Sequence, residues 1–328
     1  MVGIGRRSFL QGAAAASALT GGRFVDTALA QTEPWPARPI KFIVPLAAGG
    51  GLDFVARIVG DYLTRELGQQ IYVENRTGAG GTIGIDAAIK SPPDGYSLLV
   101  TNDNVASAPY VLALNLDYLK DLMPVVELGR QPQSIAVHPT LGVASLDELV
   151  AMAKRTPNMG VATSGVGTNQ HVLLEWFSRE AGVKFDHVPY RGAGQAINDL
   201  VAGHVKIGFL GPTAVLPHYK AGGLRMLAQT GPRRGRTMPE VPTLQELGLQ
   251  VALESWYAVF APLGTPREVV ARLNAAINKS LADAETQERF GKGATEPTGG
   301  TPEELARYAR EDADKYARLV RELNIRTR

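Results

Sequence analysis

Four glycine-rich stretches stand where an apolar run hands over to a helical pattern: Ala47-Ala48-Gly49-Gly50-Gly51, Gly78-Ala79-Gly80-Gly81, Ser164-Gly165-Val166-Gly167-Thr168 and Gly192-Ala193-Gly194. Glycine lets the backbone turn tightly and lets a ligand approach the main-chain amides. The first turn of the helix that follows adds unpaired N–H groups and a positive dipole end. Several such ends facing one cleft would hold an anion without an arginine cluster. Any one of these loops is also what a tight strand-to-helix turn requires; the recurrence of four points to a shared site. Valine at Gly50 or Gly165 is then expected to block close approach and weaken binding while sparing the fold. Neither a dinucleotide fingerprint nor a P-loop fits: Gly78-x-Gly80 continues to Ile83, Gly165-x-Gly167 continues to Gln170, and no glycine loop ends in Gly-Lys-Ser or Gly-Lys-Thr.

Polar side chains cluster beside these loops. Asp53 falls where the first helix begins; it either caps that helix by accepting an N2 or N3 amide, or bonds a ligand donor. Asn102-Asp103-Asn104 ends a strand, at the carboxyl edge where α/β proteins bind ligands. Arg191, after Pro189-Tyr190, is placed to pair with a carboxylate, and Trp256-Tyr257 is expected to pack in a hinge or core. Ser164 lacks the flanking glycines of a nucleophile elbow, because Ala162 and Val166 stand there. His171, seven residues on, is in principle its base; the alternative is a first-turn histidine that bonds backbone or lines the cleft. The five histidines include no H-x-x-x-H pair, and with no cysteine in the chain neither a metal site nor a cofactor is expected.

The elements that must position these residues alternate. Strand-like runs cover Ile40 to Leu46, Ile71 to Val73, Tyr96 to Thr101, Met159 to Thr163, Phe185 to Tyr190, Val205 to Leu210 and Leu224 to Gln229. Between them lie amphipathic helical patterns, the first presenting Phe54, Ile58, Tyr62 and Leu67 beside Val55, Val59 and Leu63 and stopping at Gly68. This alternation predicts βαβ units and mainly parallel sheets. Capping boxes are expected at Ser145/Glu148, Thr243/Glu246, Thr265/Glu268 and Thr301/Glu304. From Pro266 onward the pattern is helical with no clear strand. With no repeat and no flexible linker, a domain boundary is expected as a pair of strand crossings.

The chain has 328 residues, 45% of them hydrophobic, with 34 basic against 32 acidic side chains. Such a chain is not disordered, is not a disulfide scaffold, and lacks the basic excess that nucleic acid demands. Residues 1–30 read as an export signal: Arg6-Arg7-Ser8-Phe9-Leu10, an alanine-rich stretch to Leu19, then Ala28-Leu29-Ala30. Cleavage after Ala30 would leave 298 residues with 31 charges of each sign. A soluble protein exported by a twin-arginine-type signal is expected, with no membrane span in the remainder.

The order and spacing of further motifs resemble one family across residues 35–328. They are Trp35-Pro36-x-x-Pro39-Ile40, Val44-Pro45 leading to Gly49-Gly50-x-x-Asp53, Glu74-Asn75-Arg76 before Gly78-Ala79-Gly80-Gly81, and Pro93-Asp94-Gly95-Tyr96. Ser164-Gly165-x-Gly167 with His171, Val188-Pro189-Tyr190-Arg191-Gly192, Val241-Pro242-Thr243 and Trp256-Tyr257 complete the set. The chain resembles the Bug/TctC periplasmic solute receptors of tripartite tricarboxylate transporters. The resemblance implies a type II periplasmic-binding-protein fold: two Rossmann-like α/β lobes joined by a two-strand hinge, with one solute in the cleft between them. Lobe 1 would comprise residues 31–127 and 262–328, and lobe 2 residues 128–261. It implies a carboxylate held through backbone amides and bridging waters at Ala47, Ala48, Gly49 and Gly50 and at Ser164, Gly165, Gly167 and Thr168. Asp53, Asn102, Asn104, His171, Tyr190, Arg191 and Leu210 would flank it. Two departures stand out: Leu210-Gly211-Pro212 replaces an acidic residue common in relatives, and Asn102-Asp103-Asn104 replaces small hydroxyl residues. Asp103 would repel a second carboxylate held nearby. The expected role is therefore a monomeric, non-enzymatic extracytoplasmic receptor for a small carboxylate or amino acid, delivering it to membrane transporter subunits. The alternatives are a sensor receptor that docks on a signalling ectodomain and, more distantly, an exported serine hydrolase using Ser164 and His171.

Overall fold

The computed structural model describes residues 35–325; the expected signal segment and its cleavage point lie outside the described residues. β1 (Ile40–Val44) shows why its apolar run is continuous. Its side chains alternate between two covered faces, Ile40, Phe42 and Val44 on one and Ile43 on the other, as a strand buried on both sides requires. α1 (Gly51–Leu67) follows and ends at Gly68, whose φ of 69° only glycine adopts without strain. Its buried stripe runs through Leu52, Val55, Ala56, Ile58, Val59 and Leu63, so Phe54 and Tyr62 are only partly covered and the apolar face is rotated from the expected one.

β2 (Ile71–Asn75), α2 (Thr82–Ile89), β3 (Ser97–Asn102) and α3 (Asn104–Val111) extend the βαβ pattern, with β1 parallel to β2 and to β3. β4 (Leu122–Pro132) then runs straight into β5 (Ser134–Val137), separated by Gln133 alone, yet the two belong to different sheets. α4 (Leu146–Arg155), β6 (Met159–Thr163), α5 (Asn169–Ala181), β7 (Phe185–Pro189), α6 (Ala193–Val201), β8 (Ile207–Leu210), α7 (Pro212–Lys220) and β9 (Arg225–Gln229) build the second sheet, ordered β7-β6-β8-β5-β9. β10 (Glu254–Pro262) returns to the first sheet, followed by α8 (Arg267–Ala282), α9 (Ala284–Lys292), the two-residue β11 (Glu296–Pro297) and α10 (Pro302–Glu322). That sheet is ordered β11-β4-β10-β3-β1-β2.

Two expectations are corrected here. The sheets are mixed, not mainly parallel, because β10 is antiparallel to β3 and β4, and β5 is antiparallel to β8 and β9. Strands that carry the chain from one sheet to the other arrive without an intervening helix and so run against their neighbours. The helical C-terminal third also contains β11, which pairs with Gly129 and Arg130 of β4.

Of the expected capping boxes, Thr301/Glu304 is complete, with hydrogen bonds of 3.2 and 2.8 Å in the two directions. Thr243/Glu246 forms the same reciprocal pair on a turn rather than at a helix start. Ser145 accepts the Glu148 amide, but that carboxylate bonds Ala144 instead of the cap residue. Thr265 donates to the Pro262 carbonyl and caps nothing, because α8 starts one residue later than the motif requires.

Candidate functional site

The four glycine loops meet. The loop between β1 and α1 faces the turn into α6: a Cβ on Gly50 would lie 3.8 Å from that of Ala193, and a Cβ on Gly192 would sit 2.9 Å from that of Ala47. The loop before α2 approaches the one after β6 so closely that a Cβ on Gly80 would lie 2.7 Å from the Val166 carbonyl. Two neighbouring cavities open among these loops. One is bordered by Leu46, Ala47, Gly50, Gly51 and Leu52 and by Asn102, Gln131, Ser164, Gln170, Ala193, Gly211, Ser255 and Tyr257. The other is bordered by Pro45, Leu46, Thr77 to Gly81, Ser164, Gly165, Val166, Tyr190 and Arg191. Leu46 and Ser164 border both.

Ala47, Gly50, Asn102 and Ser164 thus border the first cavity, and Ser164, Gly165, Tyr190 and Arg191 the second. Ala48, Gly49, Asp53, Asn104, Gly167, Thr168, His171 and Leu210 border neither, and several hold the loops in shape instead. Thr168 Oγ1 donates to the Gly165 carbonyl at 2.7 Å, Gly167 O accepts from Ser107, and Leu210 O accepts from Ser134. Asp53 caps neither an N2 nor an N3 amide. Its two carboxylate oxygens accept from the Gly49 amide at 3.2 Å, from the Asn75 amide at 3.1 Å and from both sides of the Arg57 guanidinium. Burial alone would raise its pKa, but the bonds from Arg57, Gly49 and Asn75 outweigh it and hold the carboxyl below its usual range. Asn75 also donates to the Leu46 carbonyl, so Asp53 and Asn75 fix both ends of the loop that forms the cavity wall.

The backbone explains which glycines are obligatory. Gly165 has φ of 135°, and a Cβ there would lie 2.7 Å from the Tyr190 carbonyl, so valine at this position strains the loop itself rather than sparing it. Gly50 has φ of −88° and only ordinary contacts around a Cβ. The tight approach is at Gly51, where a Cβ would press on the Tyr257 hydroxyl and lie 2.9 Å from Gln131 Nε2.

Sequence reasoning placed Gly51 only within its glycine stretch and missed Gln131, Gln170, Gly211, Ser255 and Tyr257 as cavity residues. A signal existed in Gln131-x-Gln133: two amides, one at the end of β4 and one between β4 and β5, mark a place where the chain meets a polar cleft. The Trp256-Tyr257 pair divides across β10, with Trp256 in the core, donating to Asp312 at 2.8 Å, and Tyr257 bonded by Gln131 at the cavity wall. Asp103, expected to repel a distal carboxylate, does not border either cavity. It is fully buried and accepts from Ser255 Oγ at 2.6 Å and Tyr316 OH at 2.8 Å.

Among the residues bordering the two cavities, Arg191 alone is charged, and its side chain forms no ion pair among the described residues. No group of three or more His, Asp or Glu side chains able to hold a metal occurs among the described residues, and none of their helices is long and apolar enough to cross a membrane.

Ser164 and His171 share no hydrogen bond among the described residues. The His171 ring stacks on His187 at 4.3 Å, its Nδ1 is buried without a partner, and His187 pairs with Thr163 Oγ1 at 2.6 Å. Burial pushes both imidazoles down to about 4, and His171 also opposes the charging of His187. Both are therefore neutral in the fold and protonated more readily when unfolded. The stability they support is present above about 6.5 and is lost as pH falls from there towards 4. Melting curves of a His171→Phe variant should accordingly be flatter between pH 6.5 and 4 than those of the wild type; parallel curves would contradict the buried neutral pair.

The sequence matches the model of the family described as tripartite tricarboxylate transporter family receptor over residues 55–325. It is 37% identical over 298 residues to protein BugT of Bordetella pertussis, an alignment covering 88% of this chain and 90% of that one. The fold superposes on Rpa4515 of R. palustris, solved with adipate, with a TM-score of 0.85 at 28% identity, covering 88% of this chain and 98% of the other. It superposes on MatC from Rhodopseudomonas palustris, solved with bound malate, with a TM-score of 0.82 at 29% identity, covering 87% and 100%.

Proposed function

This chain belongs to the tripartite tricarboxylate transporter receptor family, and from that premise we propose that its two-cavity cleft binds a small carboxylate for delivery to membrane transporter subunits. The fold is that of the periplasmic binding proteins, and the role is a receptor's. The observation that carries the carboxylate reading is the make-up of the cleft. Its walls are backbone of glycine loops, neutral amides and hydroxyls, with one free guanidinium, that of Arg191, at one end. Such walls stabilise an anion through oriented N–H and O–H dipoles and offer it no carboxylate to repel it. The adipate and malate held by the two similar proteins support the same class of solute.

The two sheets are then the cores of two lobes that exchange strands at Gln133 and between Gln229 and Glu254. Solute held by one lobe draws in the other, because closure follows only where the closed form binds more tightly than the open one. Ala47, Gly50, Gly51 and Ser164 would supply the first contacts, and Tyr190 and Arg191 the distal ones. Residues 1–30 would direct export and be removed after Ala30, and the receptor would act as a monomer without catalysis.

Thermal melting of the solute-free protein against carboxylates, amino acids, sugars and polyamines tests this. A carboxylate at one hundred times its dissociation constant adds about 2.7 kcal/mol, which at about 2–4 °C per kcal/mol is a shift of several degrees. A carboxylate class should shift the midpoint selectively. Shifts by sugars or polyamines with none by carboxylates would overturn the proposal.

A further inference from the structure

At Asn102, which borders the first cavity, the hydrogen-bond polarity of the side chain is fixed by its neighbours. The Gly80 carbonyl can only accept, so Asn104 must present its amide to it, as it does at 3.0 Å. Asn104, which is fully buried, is left with Oδ1 towards Asn102, and Asn102 donates Nδ2 to it at 3.5 Å. Asn102 cannot be turned over without setting two oxygens against each other. Beside the second Nδ2 hydrogen, its remaining polar atom is therefore Oδ1, an acceptor. That atom is buried and has no partner, in a residue that is only 6% exposed and borders the cavity. Buried acceptors left unpaired are rare and cost stability, so one in a residue that borders a ligand cavity calls for a donor to pair with it. A carboxylate oxygen cannot complete it, since ionised carboxylates only accept.

We propose that Asn102 is a specificity-determining residue that selects a carboxylate bearing a hydrogen-bond donor: a hydroxy- or amino-carboxylate in preference to its plain saturated counterpart. This rests on the carboxylate-receptor reading and narrows it. Asn104 is the positioning residue, since it fixes which atom Asn102 presents. The discrimination takes the form of a site that accepts a hydroxyl or ammonium proton and leaves its own acceptor unpaired when the analogue lacks it.

The test is calorimetric titration of the purified protein with matched pairs differing only in the donor: lactate and propionate, malate or aspartate and succinate, 2-hydroxyadipate and adipate. At the preferred chain length the donor-bearing member should bind about 10- to 100-fold more tightly. In Asn102→Leu that ratio should fall to within about twofold. Equal binding of the two members by the wild type would overturn this inference and leave the carboxylate reading intact. Failure of every carboxylate to bind would overturn both. Because the wild-type ratio decides by itself, the outcome does not depend on the variant's folding.

Discussion

An Asp103→Ala variant is expected to melt about 6–12 °C below the wild type, corresponding to about 3 kcal/mol. The carboxylate is the shared acceptor of Ser255 on β10 and Tyr316 on α10, and the Tyr316 hydroxyl in turn takes the Asn169 amide of α5 at 2.9 Å. These four residues join the end of β3, a sheet-crossing strand, the C-terminal helix and the first turn of a helix packed on the second sheet. Removing the acceptor leaves two hydroxyls buried without one, and each such orphan costs about 1–3 kcal/mol. Tyr316→Phe should cost less, about 1 kcal/mol, because Ser255 still satisfies the carboxylate. A second signature separates this network from a simple packing defect. Burial, helped by the nearby Asp312, raises the Asp103 pKa to about 6. The stabilising contribution of a raised carboxyl is fully present below about 4 and is lost as pH rises through 6. The gap between wild type and Asp103→Ala should therefore be wider at pH 5 than at pH 7. A gap within about 0.5 kcal/mol would contradict the network, and one that widens towards pH 7 would contradict the buried, raised carboxyl.

Gly51→Val should weaken carboxylate binding at least about 100-fold. Gly51 opens α1, and a β-carbon there would press on the Tyr257 hydroxyl and lie 2.9 Å from Gln131 Nε2 and 3.1 Å from Thr213 Oγ1. These are the tips of side chains locked together, since Gln131 bonds both Tyr257 and Thr213. They cannot withdraw without breaking those bonds, so the added β-carbon disrupts the wall of the first cavity. Because the β-carbon breaks those bonds, the variant should lose stability as well as affinity. Titration of the variant with the carboxylate preferred by the wild type, alongside its melting curve, measures both. Undiminished affinity would mean that the solute does not use the first cavity.

The strands and glycine loops were legible in the sequence for physical reasons. Ile40 to Val44 is apolar throughout because both its faces are covered, and the glycines at 78, 80, 81, 165, 167 and 192 hold positive φ angles that most side chains resist. The sheet-crossing strands were not legible. β4 carries Pro124, Glu127, Arg130 and Gln131, and β10 carries Glu254, Ser255 and Tyr257, because both run beside the cleft and must mix core with polar contacts. The orientation of α1 was misjudged by a fraction of a turn, since which flank of an amphipathic helix is covered depends on α8 and α9, far along the chain. In the site, Asp53 was found by its position at a helix start, but its bonds to Asn75, Arg57 and Gly49 depend on the strand beside it. Asn169 and Tyr316 lie 147 residues apart, and only the folded chain brings them together.

The central claim is that the cleft between the loop after β1 and the loop after β6 holds a small carboxylate. Its most direct test is a crystal structure of the protein with the carboxylate that gives the largest thermal shift. The account predicts carboxylate oxygens about 3 Å from main-chain amides of the Ala47–Gly51 loop and from Ser164, with both lobes in contact around them. A carboxylate bound elsewhere, with this cleft filled only by water, would contradict it.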